Sequence, residues 1–184
     1  MKVYVLMADG FEIAEAMLPI DMLKRARIEV VTLSISSQLT VAASCGIQVI
    51  ADALLSETDT ADGDLLFLPG GMPGTMNLRN CPAVTDAILS YFKEGKWLGA
   101  ICAAPSAFGV LGILEGYEAT CYPGFEKELL GAVPVQKNCV RSGQFITACG
   151  AGAAFHVGRE MVAVLVGTDT ADAVLRQMMF GVYD

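Results

Sequence analysis

Hydrophobic and polar positions along the chain follow two alternating patterns. Short, continuous apolar runs, of which KVYVLM (2–7) is the first, are typical of buried strands. Longer stretches with apolar residues at every third or fourth position, such as FEIAEAMLPIDMLKRA (11–26), predict amphipathic helices. Because EVVTLS (29–34) returns to the strand pattern, the beginning of the chain predicts a β-α-β unit.

The same alternation continues along the rest of the chain. Further strands are predicted in LTVAASCGIQVIAD (39–52, two strands that turn near Gly46), DLLFLPGG (64–71), WLGAIC (97–102) and FITAC (145–149). Helices are predicted in PAVTDAILSYFKEGK (82–96), APSAFGVLGIL (104–114), AAFHVGREMVAVLVG (153–167) and TADAVLRQMMF (170–180), with an irregular stretch at 115–143. Uniformly apolar strands that alternate with crossover helices imply a mostly parallel sheet covered on both faces, an α/β fold with three α/β/α layers.

Composition and charge narrow the possible classes of function. The 184 residues, with 54% hydrophobic content, are enough for one domain, which we expect to span residues 1–184. The net charge of −8, without a block of Lys or Arg, argues against nucleic acid as the main ligand. No apolar run approaches the roughly 20 residues that span a bilayer, and the chain starts without a basic signal segment, so we expect no membrane association.

Six cysteines are spread along the chain without a CxxC pair or a zinc-finger spacing. A chain with a core of its own does not need a disulfide framework, so these cysteines predict a reducing, cytoplasmic location. The sequence has one histidine, no Cys/His pair at ligand spacing, no G-x-G-x-x-G fingerprint and no Walker loop. We therefore expect neither a metal nor an organic cofactor.

Three predicted strands end in segments that should lie close together. Ligands and reacting groups collect at the carboxyl ends of parallel strands, and these ends carry MADGFEIAEA (7–16), LPGGMPG (68–74) and Cys102. Gly70 and Gly71 lack Cβ atoms, so their N–H groups could approach an anionic centre. A plain strand-to-loop turn explains the same two glycines.

Cys102 follows an apolar strand in GAICAAPSA (99–107), where an inert buried thiol is the ordinary interpretation. The small residues around it, however, permit the sharp strand-to-helix corner that exposes a nucleophile at the top of a sheet. Pro105 suits the first turn of the following helix. The N-terminus of that helix is expected to lower the pKa of the Cys102 thiol.

Two glutamates lie at a spacing of three in the opening helix and therefore share one face. Solvated acids are favourable near a helix N-terminus, which is our interpretation of Glu12. Glu15 has apolar neighbours, and burial against the core would raise the pKa of its carboxyl group. A protonated Glu15 could donate a hydrogen bond to a thiolate or take part in proton transfer.

In this order and at these separations, MADGFEIAEAMLPIDMLKRA, LPGG and AICAAPSA resemble the ThiJ/PfpI superfamily, and within it the DJ-1 branch. ITACGAGAAF (146–155) is similar to the glycine-rich lead into that branch's penultimate helix. The resemblance implies a flavodoxin-like sandwich, related to class I glutamine amidotransferases, that forms a homodimer. It also implies an oxidation-sensitive cysteine at Cys102, a partner glutamate at Glu15, and backbone donors at Gly71 and Ala103.

The chain departs from the superfamily's pattern at a histidine. Where many relatives have a histidine before proline, this chain has Tyr122 in TCYPGF, which we expect to line the pocket with Cys121 and Gly70. The one histidine, His156, falls in a later helix, where we interpret it as a surface or hydrogen-bonded structural residue. Peptidases of the superfamily carry a histidine directly after the cysteine, where Ala103 stands here. Amidotransferases need a Cys-His-Glu triad that this chain lacks.

Two classes of function remain open. In the first, an oxidative and carbonyl-stress protein senses oxidation as Cys102 passes from thiolate to sulfenate and sulfinate. In the second, a cofactor-free glyoxalase or deglycase adds Cys102 to methylglyoxal, glyoxal or a glycated protein while Glu15 moves protons. The superfamily has also carried a thiazole-biosynthesis label, for which this sequence shows no substrate site. We predict that peroxide oxidises Cys102 before the other thiols, with Cys121 as its rival.

Overall fold

A seven-stranded sheet forms the centre of the molecule in the computed structural model, which describes residues 1–181. The strands in these residues are β1 (Lys2–Met7), β2 (Glu29–Ser34), β3 (Thr40–Ala42), β4 (Gln48–Ile50), β5 (Ala53–Leu54), β6 (Leu65–Leu68), β7 (Trp97–Ile101), β8 (Glu118–Ala119), β9 (Val133–Pro134), β10 (Cys139–Ser142) and β11 (Phe145–Ala148). The central sheet has the order β10-β11-β7-β6-β1-β2-β5. Its neighbours are parallel except for β10 and β11, so the prediction of a mostly parallel sheet is confirmed.

Helices cover both faces of this sheet. They are α1 (Ile13–Arg25), α2 (Gly74–Arg79), α3 (Pro82–Lys93), α4 (Pro105–Val110), α5 (Ala154–Val166) and α6 (Thr168–Gln177). Because successive side chains of a strand point to opposite faces, Val3 and Val5 of β1 pack in the core under α1, α5 and α6. Tyr4 and Leu6 pack in the second core, under α2, α3 and α4.

The helices α1 and α5 lie unusually close together because α5 has a glycine at the contact. A Cβ atom on Gly158 would lie 3.3 Å from the Cα of Pro19 and 2.5 Å from the sulfur of Met22, both in α1. This contact fixes the distance between α5 and the middle of α1, one to two turns after Glu15.

The irregular stretch predicted at 115–143 contains more structure than expected, namely the short parallel pair β8 and β9 and the edge strand β10. The helix α2 was not predicted, since its six residues are too few to show a helical period. The helix α4 ends at Val110 rather than at residue 114, because Gly112 adopts a positive φ of 68°. The predicted hairpin near Gly46 is confirmed as the antiparallel pair of β3 and β4.

The connections of the sheet reverse direction between β1 and β6. From β1 the chain crosses to β2 on one side, whereas β6 and then β7 lie on the other side. The carboxyl ends of β1, β6 and β7 are consequently neighbours, and this reversal point is where open α/β sheets bind ligands. In residues 1–181, no helix is both long enough and apolar enough to cross a membrane.

Candidate active site

Cys102 occupies a sharp corner between β7 and α4. Its backbone φ is +64°, a left-handed conformation that a residue with a side chain adopts only at a cost of about 1–3 kcal/mol. Hydrogen bonds on both sides hold it there: its N–H donates to the carbonyl of Ala148 at 2.8 Å, and its carbonyl accepts the N–H of Tyr122 at 2.8 Å. The strand-to-helix corner predicted from the small residues is therefore present.

Glu15 lies in the first turn of α1 with 1% of its surface exposed. The N–H of Gly70 donates to its Oε2 at 3.0 Å, and the carbonyl of Gly70 accepts the N–H of Glu12 at 2.9 Å. A Cβ atom on Gly70 would contact Glu15 Oε2 and lie 2.5 Å from the Cβ of Cys102. Gly70 is thus required because three segments approach each other closely, which a plain turn would not demand.

Burial sets the ionisation of the two facing side chains. Burial raises the pKa of Glu15 to about 7. Hydrogen bonds from the Cys102 thiol and from the N–H of Gly70 oppose this shift, because they stabilise the charged carboxylate. Burial, followed by the charge of Glu15, raises the pKa of Cys102 to about 11. The N–H groups of Gly71 and Ala103 donate toward the sulfur and act in the opposite direction.

The prediction that the helix N-terminus lowers the pKa of Cys102 was therefore wrong. Burial and the neighbouring carboxylate outweigh the two N–H donors, and the helix that follows, α4, has only six residues. Because the two groups interact strongly, they titrate as a pair that holds one proton between about pH 7 and about pH 11. In that range the proton sits either on the thiol of Cys102 or on the carboxyl group of Glu15.

Glu12 has a structural role that the sequence interpretation missed. Its side chain accepts the N–H of Ala14 at 3.1 Å and caps the N-terminus of α1. It is half-buried rather than fully solvated. The cap fixes the start of the helix three residues before Glu15, so Glu12 supports the site through the backbone.

Cys121 and Tyr122 lie beside the corner, on the far side of the Cys102 carbonyl. Cys121 is buried, and burial raises its pKa to about 12. Together with Cys149 and residues 134–138 it lines a cavity of about 510 Å³ that Cys102 does not line. Tyr122 is half exposed, so its ring is available at the surface next to the corner.

The other predicted residues lie apart from this site. All six cysteines are free, with Cys45 exposed at the β3–β4 turn and Cys81 at the start of α3.

His156 lies in α5, where its ring packs edge-to-face against Phe180 at 5.7 Å. Within residues 1–181, its buried Nδ1 has no hydrogen-bond partner, so the expectation of a hydrogen-bonded structural histidine is not met at that atom. In the described part of the chain, no three His, Cys, Asp or Glu side chains are grouped to hold a metal ion.

Sequence reasoning also missed two residues behind the corner. Ser106 is fully buried in α4, and its hydroxyl donates to the carbonyl of Ala103 at 2.6 Å. Arg79, the last residue of α2, donates to Ser106 Oγ at 3.4 Å. The only sequence signal was the hydroxyl residue four positions after Cys102, because the contact of α2 with α4 depends on the tertiary fold.

The fold and the site together define a class of protein: an α/β sandwich in which a cysteine at a strand-to-helix corner faces a buried glutamate. The sequence profile of the DJ-1/PfpI family matches residues 1–164. The chain belongs to that family, as the resemblance implied.

Relatives and solved structures agree with this membership. Protein DJ-1 homolog B of Arabidopsis thaliana is 37% identical over 172 residues, which cover 92% of this chain and 39% of that protein. This chain thus spans less than half the length of that relative. The glutathione-independent glyoxalase DJR-1.2 of Caenorhabditis elegans is 28% identical, over 86% of this chain and 84% of the relative. The structure of oxidized Toxoplasma gondii DJ-1 has a TM-score of 0.94 at 31% identity and covers 98% of both chains, which confirms the flavodoxin-like fold.

Proposed function

We propose that this protein is an oxidative and carbonyl-stress protein that senses oxidation at Cys102. The observation that carries the proposal is the buried carboxyl group of Glu15 facing a thiol that also receives two backbone N–H groups. The Cys102 thiolate attacks one oxygen of hydrogen peroxide, the O–O bond breaks, and sulfenate forms as the other oxygen leaves in water. A second peroxide oxidises the sulfenate to sulfinate in the same way.

The surroundings of Cys102 favour sulfinate as the end product. Its oxygens would accept hydrogen bonds from a protonated Glu15 and from the N–H groups of Gly71 and Ala103. Each bond to a charged group contributes about 1.5–3 kcal/mol. Burial raises the pKa of Cys121 further, to about 12, which leaves less thiolate there at neutral pH. The oxidised state named for the Toxoplasma gondii structure supports the same chemistry on this fold.

Peptide mapping after graded peroxide tests this proposal. The expected result is that Cys102 accumulates two oxygens before any other cysteine forms sulfinate, because these donors hold its product, with a lower yield in a Glu15→Gln variant. A Cys121→Ser variant is the matched control, because it removes the neighbouring thiol and should leave the yield at Cys102 unchanged. First oxidation at Cys81 or Cys45, or an unchanged yield in Glu15→Gln, would show that the site is wrong.

A second candidate is a cofactor-free glyoxalase, favoured by the shared proton of Glu15 and Cys102 and by the activity named for the Caenorhabditis elegans relative. Cys102 would add to the aldehyde carbon of methylglyoxal as Glu15 protonates the resulting alkoxide. Glu15 would then move the C1 proton to C2, and water would release lactate from the thioester. We place this candidate second because the site lacks a histidine base.

Turnover of methylglyoxal by wild type, Cys102→Ser, Glu15→Gln and His156→Ala separates the two candidates. An enzyme that uses this pair loses most turnover in the first two variants, because serine is a poorer nucleophile and an amide cannot relay a proton. His156→Ala should stay close to wild type, since His156 lies apart from Cys102. Equal loss of turnover in Glu15→Gln and His156→Ala would show that the assignment of Glu15 as the base is wrong.

The proposal also includes a cytoplasmic homodimer that needs no metal or organic cofactor and acts on peroxide or small carbonyls. Free thiols at all six cysteines suit a reducing compartment. Exposed apolar residues on the β3–β4 hairpin, beside the start of α1, support self-association.

A further inference from the structure

Arg79 lies where three segments next to the candidate site meet. It is the last residue of α2, the helix that follows the glycine pair. Its Nη1 donates to Ser106 Oγ in α4, the helix that follows Cys102. The same guanidinium forms an ion pair with Glu128, in the short 3-10 helix Glu126–Glu128. One side chain thus connects the elements that follow the glycine pair, the cysteine and the Tyr122 segment.

Ser106 connects the guanidinium of Arg79 to the corner. The carbonyl of Ala103 accepts both the Ser106 hydroxyl at 2.6 Å and the Ser106 N–H at 3.1 Å. Ala103 in turn donates its own N–H toward the sulfur of Cys102. An uninterrupted series of contacts therefore runs from Arg79 through Ser106 and Ala103 to Cys102.

The direction of these hydrogen bonds depends on Arg79. A serine hydroxyl has one proton to donate, and a guanidinium has only donors. With Arg79 donating to its oxygen, the Ser106 hydroxyl must direct its proton elsewhere, and the carbonyl of Ala103 is its partner. The arginine is largely buried, with 16% of its side chain exposed, and its planar fork fixes the direction of each N–H.

We propose that Arg79 is a positioning residue for Cys102. By orienting the Ser106 hydroxyl toward Ala103, it holds the strained corner and keeps the Ala103 N–H aimed at the sulfur. The inference rests on the proposed function only in taking Cys102 as the reacting group. Without Arg79, the thiolate loses part of the stabilisation that this N–H provides, and less thiolate forms at neutral pH.

Alkylation of Cys102 by iodoacetamide, followed by peptide mass at pH 8 and in a short pulse near pH 11, tests the inference. Arg79→Met keeps the length of the side chain and removes its donors, whereas Arg79→Lys keeps the charge and loses the planar fork. The matched control is Arg159→Met, because Arg159 in α5 is also partly buried and pairs with Asp172 and Glu160 away from Cys102. Melting temperatures of all variants are measured in parallel.

We expect Arg79→Met to lower the rate at pH 8 about three- to tenfold, equivalent to about half to one unit in the pKa of the thiol. The difference should narrow near pH 11, because about half of the wild-type Cys102 is thiolate there and its ionised fraction no longer rises tenfold with each pH unit. Arg79→Lys should recover part of the loss, and Arg159→Met should keep the wild-type ratio of the two rates. Ser106→Ala leaves the Arg79–Glu128 ion pair intact and should show the same loss of alkylation rate at pH 8. This variant tests the inference if Arg79→Met does not fold.

A wild-type ratio of rates in Arg79→Met or in Ser106→Ala, or an equal loss at both pH values, would overturn the inference. Such results would leave Arg79 a purely structural ion pair. The outcome is independent of the proposed function, because alkylation requires neither peroxide nor a carbonyl substrate. Failure of the proposed function would instead appear as oxidation of another cysteine in the wild-type protein.

Discussion

At the scale of single residues, burial makes the charge state of Glu15 depend on folding. In the unfolded chain its carboxyl group ionises near its ordinary pKa of 4.5, whereas in the folded protein the pKa is about 7. Between these values the folded protein binds more protons than the unfolded chain, so stability falls as pH rises. The cost is complete above about pH 7 and amounts to about 3 kcal/mol for a shift of this size.

A Glu15→Gln variant should lack this dependence on pH. We expect the free energy of unfolding of wild type, relative to the variant, to fall by about 2–3 kcal/mol between pH 4.5 and pH 7.5. The amide can still accept the N–H of Gly70, so a constant offset between the two proteins does not affect the trend. Urea denaturation across this pH range measures it, and a difference that stays constant with pH would contradict the raised pKa.

At the scale of elements, α4 packs closely against the 3-10 helix that follows Tyr122. At this contact Gly109 of α4 faces backbone atoms, with no side chain between them. A Cβ atom on Gly109 would meet the carbonyl oxygen of Glu128 and lie 2.7 Å from the Cα of Leu129. Both are backbone atoms, so the strain cannot be relieved by rotating a side chain. The contact keeps Glu128 within reach of Arg79 and couples the rim of the site to the helix behind Cys102.

We predict that Gly109→Ala lowers the free energy of unfolding by about 1–3 kcal/mol, because the added methyl group forces α4 and residues 128–129 apart. Gly152→Ala is the matched control, since its Cβ would meet no atom within 4 Å and its backbone needs no special conformation. That variant should stay within about 0.5 kcal/mol of wild type. Equal denaturation midpoints for the two variants would show that the contact is not close.

Among the individual strands and helices, the sequence predicted those with a clear pattern of apolar residues along their length. β1 was foreseen as a continuous apolar run, and α1 and the two C-terminal helices because apolar residues repeat near every 3.6 positions over their length. The helix α2 and the pair β8–β9 were not, since they are too short to carry a period.

The candidate site likewise has features that the sequence could predict and features that it could not. The meeting of Glu15, Gly70 and Cys102 could be predicted because parallel strands end at one edge of a sheet. The direction of the Cys102 pKa shift could not, because it is a sum of burial, one charge and two N–H groups whose distances only the fold sets. Arg79 was missed for a related reason: its partners lie 27 and 49 positions away along the chain.

At the scale of the whole molecule, apolar side chains remain exposed on one hairpin. Ile50 of β4 is 78% exposed and Ile47, before it, is 55% exposed. The hairpin is joined to the segment before α1 by the bridge between Phe11 and Ala43 and by the N–H of Gly10. This surface is available to a second copy of the chain.

Light scattering at micromolar concentration should therefore give a mass near twice the 19.4 kDa of one chain. An Ile50→Lys variant should shift the equilibrium toward the monomer, because it places a charge in the middle of the apolar surface. Val133→Lys, a change at a similarly exposed position outside the hairpin, is the control and should leave the mass unchanged. A wild-type mass near that of the monomer would refute the dimer.

The left-handed backbone of Cys102 lowers the stability of the fold at the position where the proposed function needs a thiol. Glycine adopts this conformation without steric cost, so selection for a robust fold alone would favour glycine there. A cysteine at this corner lowers the stability of the fold, and under the proposed function the reaction of its sulfur is the reason to keep it. Under the proposed function, descendants of this protein that lose the reaction of Cys102 and keep the fold should drift toward glycine at position 102, and a glycine there would identify them.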